Sequence, residues 1–321
     1  MLERVRKADL PKSAHPGRCY LCNYEHRLVP AGFQLLYPQH NSAPIPIDWW
    51  ECHSCRGWFV YPIPSSDIIA RYWSGMEWAD PDREVQVATA KRVLLLRVLK
   101  ELSDRIKPGP LLDFGCNFGQ FMIMAREAGW KPVGFEPNVG AVARAREKGF
   151  DVRSGWLLEN AGFAEGSFNA ITAIDVFCLV SDPIATVRTF HRLLKPGGVL
   201  AMRLTNKHFI LGLLRASCLP GSKRDARITS VLLPQFHSIG IGALTRILNE
   251  VGFDRIQALP NATTAPWNAL TWKTRTAYLS ASVLYYLSLR TVNISPGVLF
   301  FARNSIASHH NRNTFSLSAT M

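Results

Sequence analysis

A glycine turn between an apolar strand and an apolar helix, residues 111–121, carries side chains suited to holding a nucleotide. Asp113 ends the strand, and Gly115 and Gly119 allow a tight turn before the helix begins. Such a turn at the positive end of a helix forms a cradle for the polar groups of a nucleotide. Glu136 ends the next apolar strand, where a carboxylate can accept hydrogen bonds from ribose hydroxyls. Because the middle glycine of the G-x-G-x-x-G pattern is missing, these residues predict a nucleotide-type cofactor without naming it.

Four cysteines form a second chemically capable group, Cys19 with Cys22 and Cys52 with Cys55. The N-terminus has no apolar run of the kind that marks a secretory signal, and two C-x2-C pairs in such a chain favour structural zinc over disulfides. Four thiolates complete a tetrahedron around Zn²⁺ and leave no position for a substrate. Gly57 after the second pair suits a tight turn. The alternatives are four unconnected thiols or a redox pair.

The elements that must position these groups alternate regularly from residue 110 onward. Apolar strand patterns alternate with helical ones, and this predicts a doubly wound parallel α/β sheet. The predicted strands are 111–113, 131–136, 150–153, 169–175, 198–204, 253–258 and 297–302, and the predicted helices are 118–128, 138–148, 183–194 and 243–251.

Residues 111–204 resemble a class I S-adenosylmethionine-dependent methyltransferase. The segment 112–119, LDFGCNFG, is similar to the first motif of that family, and 134–137, GFEP, is similar to the second. Segments 166–176 and 193–198 resemble the fourth strand and the turn before the fifth strand. The resemblance implies a Rossmann-like, seven-stranded α/β sheet and the cofactor S-adenosylmethionine.

The resemblance also implies roles for the residues of the glycine turn. Gly115, Cys116, Asn117 and Gly119 would hold the methionine part of the cofactor, and Asp113 would order the turn. The family usually has a glycine where this chain has Asn117. Asparagine tolerates left-handed backbone angles, so the turn can still form.

Three further positions of the cofactor site follow from the same resemblance. Glu136 would hold the ribose, and Trp156 or its neighbour Leu157 would border the adenine. Asp175 ends the fourth strand and would face the cleft, although an acid there can also simply cap a turn. Residues 178–179 are Cys-Leu where the family often has Glu-His, so a base that such a histidine supplies elsewhere is absent here.

The front of the chain resembles the zinc-ribbon branch of these methyltransferases, which includes enzymes acting on nucleotide-linked sugars. The implied organisation is a small N-terminal zinc ribbon, a helical linker or lid, and a methyltransferase domain with two insertions. The predicted boundaries are a flexible N-terminus at 1–17, the ribbon at 18–62, the linker or lid at 63–107, the methyltransferase domain at 108–304 with insertions at 205–235 and 261–295, and a disordered tail at 305–321.

The excess of positive over negative charge lies entirely in the C-terminal part of the chain. The net charge is +13, yet residues 1–182 hold 21 basic and 21 acidic residues, whereas residues 183–321 hold 16 basic and three acidic ones. Such asymmetry favours an anionic partner, although a merely solvated basic face is the alternative. The apolar, basic segment 267–294 is either an interfacial helix near a membrane or a helix that covers the sheet or an oligomer interface. We expect a cytoplasmic protein, with peripheral contact to the inner face of the membrane as one option.

The residues support three hypotheses for function. The first is methyl transfer to a small, phosphate-bearing acceptor linked to a sugar, lipid or nucleotide. The second is an RNA methyltransferase that grips phosphates with its ribbon and basic part, and the third is a non-catalytic cofactor-binding protein. If the acceptor needs a base, the candidates are His237 and Tyr72, and for each a packed or capping side chain is the alternative.

Overall fold

The computed structural model describes residues 15–25, 28–39, 42–65, 69, 81–206, 235–261, 272–288, 293, 295 and 297–305. The strands are β1 (Leu28–Gln39), β2 (Ser42–Cys52), β3 (Trp58–Tyr61), β4 (Pro110–Phe114), β5 (Lys131–Glu136), β6 (Val152–Ser154), β7 (Phe168–Ile174), β8 (Leu194–Thr205), β9 (His237–Ser238), β10 (Phe253–Asn261) and β11 (Gly297–Asn304). The helices are α1 (Pro81–Ser103), α2 (Gln120–Glu127), α3 (Val139–Glu147), α4 (Pro183–Leu193), α5 (Ile241–Val251) and α6 (Trp272–Leu287).

The large sheet has seven strands in the order β10–β11–β8–β7–β4–β5–β6, which confirms the predicted seven-stranded, doubly wound sheet. Strands β4 to β8 run parallel to one another. Strand β11 differs from the expected all-parallel arrangement, because it runs antiparallel to both β8 and β10. Its connection from β10 begins and ends at the same edge of the sheet, so the returning strand must run in the opposite direction.

Helices cover both faces of this sheet, as strand periodicity requires. Leu112 and Ile171 point to the face covered by α4 and α5. Their chain neighbours Leu111 and Ala170 point to the opposite face, which α1 and α2 cover. Successive side chains of a strand alternate between faces, so a strand buried on both sides is apolar throughout.

Helix α1 belongs to the core of the sheet. Leu95, Val98 and Leu102 lie on one side of the helix and pack with Leu111 and Phe301 of the sheet. The sequence places this helix in a linker or lid at 63–107, whereas its packing makes it a layer of the α/β domain. Removing it would expose one apolar face of the central strands.

The N-terminal segment forms a separate four-stranded sheet in the order β1–β2–β3–β9. Its fourth strand comes from the C-terminal part of the chain, with Trp58 opposite Ser238 and Phe59 opposite His237. The backbone N–H of Val60 also donates to the carbonyl of Phe236 over 2.9 Å. The N-terminal sheet is therefore bound to the α/β domain by strand pairing.

Several predicted segments lie outside the described residues. These are residues 1–14 of the N-terminus, most of 66–80 including Tyr72, most of the insertion at 205–235, residues 262–271, 289–292 and 294 of the insertion at 261–295, and the tail after residue 305. Among the helices that are described, none has the length and apolar character needed to cross a membrane.

Candidate active site

The glycine turn lies where β4 ends and α2 begins, at the carboxyl edge of the sheet. Gly115, Asn117 and Gly119 have φ angles of +76°, +50° and +79°. A Cβ atom on Gly115 would lie 2.7 Å from Cγ2 of Val176, so glycine is required there by both conformation and space. The turn thus brings the chain close to the end of β7, as expected for a cradle.

Glu136 ties the glycine turn to the next helix. Its Oε2 accepts from the backbone N–H of Asn117, and its Oε1 accepts from the backbone N–H of Asn138, each over 3.0 Å. Burial raises the pKa of this carboxyl, and the two backbone donors counteract part of that effect. Each carboxylate oxygen keeps a second lone-pair direction, with which it can accept from a ligand hydroxyl.

Asp113 lies buried beneath the turn. The hydroxyl of Thr172 donates to its Oδ1 over 2.7 Å. Burial raises the pKa of Asp113 to about 7, the Thr172 hydrogen bond opposes the rise, and the charge of Glu136 adds to it. A cationic ligand at this place would stabilise the ionised form.

A cavity of about 240 Å³ opens at this edge of the sheet. Seven of the eight residues predicted to bind the cofactor line it, namely Asp113, Gly115, Cys116, Asn117, Glu136, Trp156 and Asp175. Gly119 lies in the same turn, between the lining residues Phe118 and Gln120. The side-chain Oδ1 of Asn117 is buried in this wall and has no hydrogen-bond partner among the residues that the structure describes. Buried polar atoms are normally satisfied, so this one marks a place where a bound molecule can donate.

A cluster of charged side chains lies at the ends of β7 and β8. Of its members, the sequence analysis identified only Asp175. Asp175 has a φ angle of +62°. Its Oδ1 accepts from Nη1 of Arg203, and its Oδ2 pairs with Nζ of Lys91 over 3.1 Å. Burial raises the pKa of Asp175, but the charges of Arg203 and Lys91 outweigh it and hold the pKa below its usual value. A lone arginine in the apolar run of β8 was the signal that could have found the cluster.

We expect Asp175→Asn to lower the free energy of unfolding by about 2–3 kcal/mol, because it leaves the buried Arg203 without its counter-charge. The loss is below that of a fully buried pair, since the Asp175 side chain is 20% exposed. Because the pKa of Asp175 is lower in the folded than in the unfolded protein, its ionised form stabilises the fold at pH values above the unfolded pKa. This contribution is lost as the pH falls through the folded pKa, so the stabilities of wild type and variant should converge in strong acid. Urea unfolding from neutral to acidic pH measures this, with Glu165→Gln of an exposed pair as control.

The structure describes one of the two predicted bases, His237. Tyr72 lies outside the described residues. His237 is buried on β9 between the rings of Tyr20 and Phe177, at centroid distances of 6.2 and 5.7 Å, and it does not line the cavity. Burial lowers the pKa of His237 to about 3, so its ring is neutral in ordinary buffers. The geometry gives His237 a packing role, and its function as a base stays a prediction.

The four paired cysteines converge on one point. Their sulfur atoms all lie within 4.8 Å of one another, with 3.8 Å between Cys19 and Cys55 and 3.7 Å between Cys22 and Cys52. Tetrahedral thiolates at about 2.3 Å from Zn²⁺ are about 3.8 Å apart, so the spacing fits this metal. Glycine is favoured at position 57 by lack of space and not by backbone conformation, because a Cβ atom there would lie 2.5 Å from Cδ1 of Leu21. The cluster can hold a metal ion as a closed structural site.

A family model described as a methyltransferase domain matches residues 82–258. The chain belongs to this methyltransferase-domain family. The match begins at α1, in agreement with the packing of that helix on the sheet. The glycine turn, Glu136 and the cavity therefore lie within the methyltransferase domain.

Two curated relatives match part of the chain. The ubiquinone biosynthesis O-methyltransferase of Bordetella avium (strain 197N) is 26% identical over 149 residues, which cover 44% of this chain and 59% of the relative. The enzyme of the same name from Escherichia fergusonii is 28% identical over 156 residues, which cover 46% of this chain and 65% of the relative. The chain thus spans less than two thirds of either relative.

A solved structure shares the fold. Phosphoethanolamine N-methyltransferase 2 of Haemonchus contortus, in complex with S-adenosyl-L-methionine, superposes with a TM-score of 0.50 at 12% identity. The alignment covers 77% of this chain and 62% of that chain. At this identity the similarity establishes the methyltransferase fold alone.

Proposed function

We propose that this protein is an S-adenosylmethionine-dependent methyltransferase whose cofactor occupies the cavity at the glycine turn. The observation that carries the proposal is Glu136, whose two oxygens anchor the turn and the start of α3 while facing the cavity. The unpartnered Oδ1 of Asn117 supplies an acceptor in the same wall. Donors such as ribose hydroxyls and an amino group fit these acceptors.

The bound cofactor would supply an activated methyl group together with its leaving group. The residues of the site would bind the cofactor and orient it toward the acceptor. Glu136 would hold the ribose, the turn from Gly115 to Gly119 would hold the methionine part, and Trp156 would border the adenine. Positioning an acceptor in line with the methyl carbon accounts for much of the rate in such transfers.

Calorimetric titration of the wild-type protein with S-adenosylmethionine and S-adenosylhomocysteine tests this proposal. We expect saturable binding of both compounds at one site per chain. Lack of binding by either would overturn the proposal. Binding without methyl transfer to any acceptor in a metabolite extract would favour the non-catalytic hypothesis.

We propose a small acceptor whose anionic group lies beside Lys91, because elsewhere the cavity lining carries the carboxylates of Asp113, Glu136, Glu159 and Asp182. Lys91, which lines the cavity, and the nearby Arg203 bring two positive charges against the single carboxylate of Asp175. An anionic acceptor group such as a phosphate can compete for Lys91, whose side chain is partly exposed. Asp175 is held ionised and can accept from an acceptor hydroxyl. The names of the curated relatives favour an oxygen acceptor, whereas the Haemonchus enzyme is named for a nitrogen acceptor.

Lys91→Met is expected to reduce methyl transfer to an anionic acceptor about tenfold at low acceptor concentration, with cofactor affinity changed less than about twofold. The reason is that Lys91 pairs with Asp175, where we place the acceptor, and not with the glycine turn that would hold the cofactor. The rate is measured by incubating each variant with methyl-labelled S-adenosylmethionine and a small-molecule extract and separating the labelled products by anion exchange. Arg92→Met, at the neighbouring exposed position, is the control. Label in the fraction that an anion exchanger does not retain would contradict an anionic acceptor.

We also propose that Cys19, Cys22, Cys52 and Cys55 hold a structural Zn²⁺ ion and that the N-terminal segment is a zinc ribbon. The sulfur spacing and the closed four-thiol set support it. Assignment to a branch acting on sugar-linked acceptors remains part of the proposal, and the labelled-product experiment tests it.

A further inference from the structure

Helix α6 has two opposite apolar faces. Ala281 and Tyr285 are buried against the domain. Leu279, Val283 and Leu287 are exposed by 52, 56 and 77% and are spaced four residues apart, so they form one stripe on the other side of the helix. Leu284 extends the stripe with a further exposed side chain. We call these four residues the α6 stripe. A surface helix that needs no partner presents polar residues on this side.

The segment of sequence that contains the stripe is basic. The connection between β10 and β11, residues 262–296, contains Lys273, Arg275 and Arg290 and no aspartate or glutamate. The part of the chain from residue 183 onward has 16 basic and three acidic residues. An apolar stripe within a segment whose sequence has basic but no acidic residues complements a surface that is both apolar and anionic.

The position of α6 relates the stripe to the cavity. Its connection leaves β10 at Asn261 and re-enters the sheet at Gly297. Strand β10 runs in the same direction as β8, because both are antiparallel to β11. Asn261 therefore lies at the carboxyl edge of the sheet, where the glycine turn and Asp175 also lie. The connection that contains α6 is therefore anchored at the edge of the sheet on which the cavity opens.

We propose that the α6 stripe docks the protein on the surface of an anionic lipid bilayer. The helix would lie in the interface with Leu279, Val283, Leu284 and Leu287 among the lipid chains, and the positive charge of the segment would attract anionic headgroups. A second copy of this chain is the poorer occupant, because pairing two such stripes would bring two basic segments together without acids to neutralise them. The docking does not depend on the proposed methyl transfer.

Sedimentation with vesicles tests the docking. We expect the full-length protein to bind phosphatidylcholine vesicles that contain about 30 mol % phosphatidylglycerol and to be released in part by about 0.5 M salt. The double variant Leu279→Glu/Val283→Glu should partition at least about tenfold more weakly, because two apolar contacts become charges. The matched control Val85→Glu/Val93→Glu makes the same change at two exposed valines of α1 and should bind as wild type does.

Two further measurements keep the outcome decisive. Circular dichroism and cofactor titration must show that the double variant is folded, and Leu279→Ala/Val283→Ala gives a second variant without added charge. Light scattering with increasing protein concentration detects self-association. The proposal is overturned if the wild type ignores anionic vesicles, if the folded double variant binds them equally well, or if the α6 stripe instead mediates a stable dimer.

Discussion

Replacing Glu136 by alanine is expected to weaken S-adenosylmethionine binding about 1,000-fold. The carboxylate has two tasks, since it anchors the backbone N–H groups of Asn117 and Asn138 and offers acceptors to the ribose. A hydrogen bond to a charged group contributes about 1.5–3 kcal/mol, and two such contacts to the ligand give about this factor. Alanine also leaves two buried backbone donors unpaired, which loosens the cradle. Calorimetric titration of wild type and variant measures the change.

The control for this variant is Glu147→Ala, which removes a carboxylate from the exposed side of α3. Its affinity for the cofactor should equal that of wild type. Glu136→Gln keeps the shape of the side chain and loses the charge, so an intermediate affinity is expected. If Glu136→Ala bound the cofactor as tightly as wild type while remaining folded, the cavity would not be the ribose site.

Removing the proposed Zn²⁺ from the cysteine cluster is expected to unfold the N-terminal sheet. The purified protein should contain about one Zn²⁺ per chain, and the double variant Cys52→Ser/Cys55→Ser should contain none. The core beside the sulfurs is small and includes Leu21, Trp50 and Phe59, so metal binding would supply much of the local stability. We expect the melting temperature to fall by about 10 °C or more. Metal analysis and thermal unfolding measure both effects.

Loss of the metal should also loosen the wall of the cavity, because β9 connects the N-terminal sheet to it. The backbone N–H of Phe236 donates to the carbonyl of Cys178 over 3.0 Å, and Leu179 and Val180 in the same turn line the cavity. Hydrogen exchange should therefore increase in β3, in β9 and in residues 177–180 of the metal-free variant. Cys178→Ser serves as control, since this thiol is outside the cluster and should leave the zinc content unchanged. A full zinc content after loss of Cys52 and Cys55 would contradict the proposed ligands.

Local sequence patterns were enough to predict the parts of the site that one turn or one spacing defines. The glycine turn forms because Gly115 and Gly119 adopt conformations that other residues resist, and these conformations depend on neighbours in the chain. Glu136 lies beside that turn because β4 and β5 are adjacent parallel strands that end at one edge. The two C-x2-C pairs predicted a four-sulfur cluster because each pair presents two thiols at one point, and the structure brings all four together.

The ion cluster could not be predicted in the same way, because its members come from three elements. Lys91 lies on α1, Asp175 follows β7 and Arg203 lies on β8. Nothing in the sequence states that α1 packs across the sheet so that its lysine reaches the end of β7. The sequence therefore predicted that α1 is part of a linker or lid, whereas in the structure Lys91 and Leu95 of this helix line the cavity.

The sequence by itself determined the α/β alternation, the glycine turn and the cysteine cluster, since each depends on residue type and short spacing. Only the tertiary structure decided that β9 joins the N-terminal sheet, that His237 is enclosed between aromatic rings, and that α6 presents an apolar stripe outward. The physical reason is that burial is a property of the assembled chain. The same histidine or leucine has a different role according to which distant element covers it.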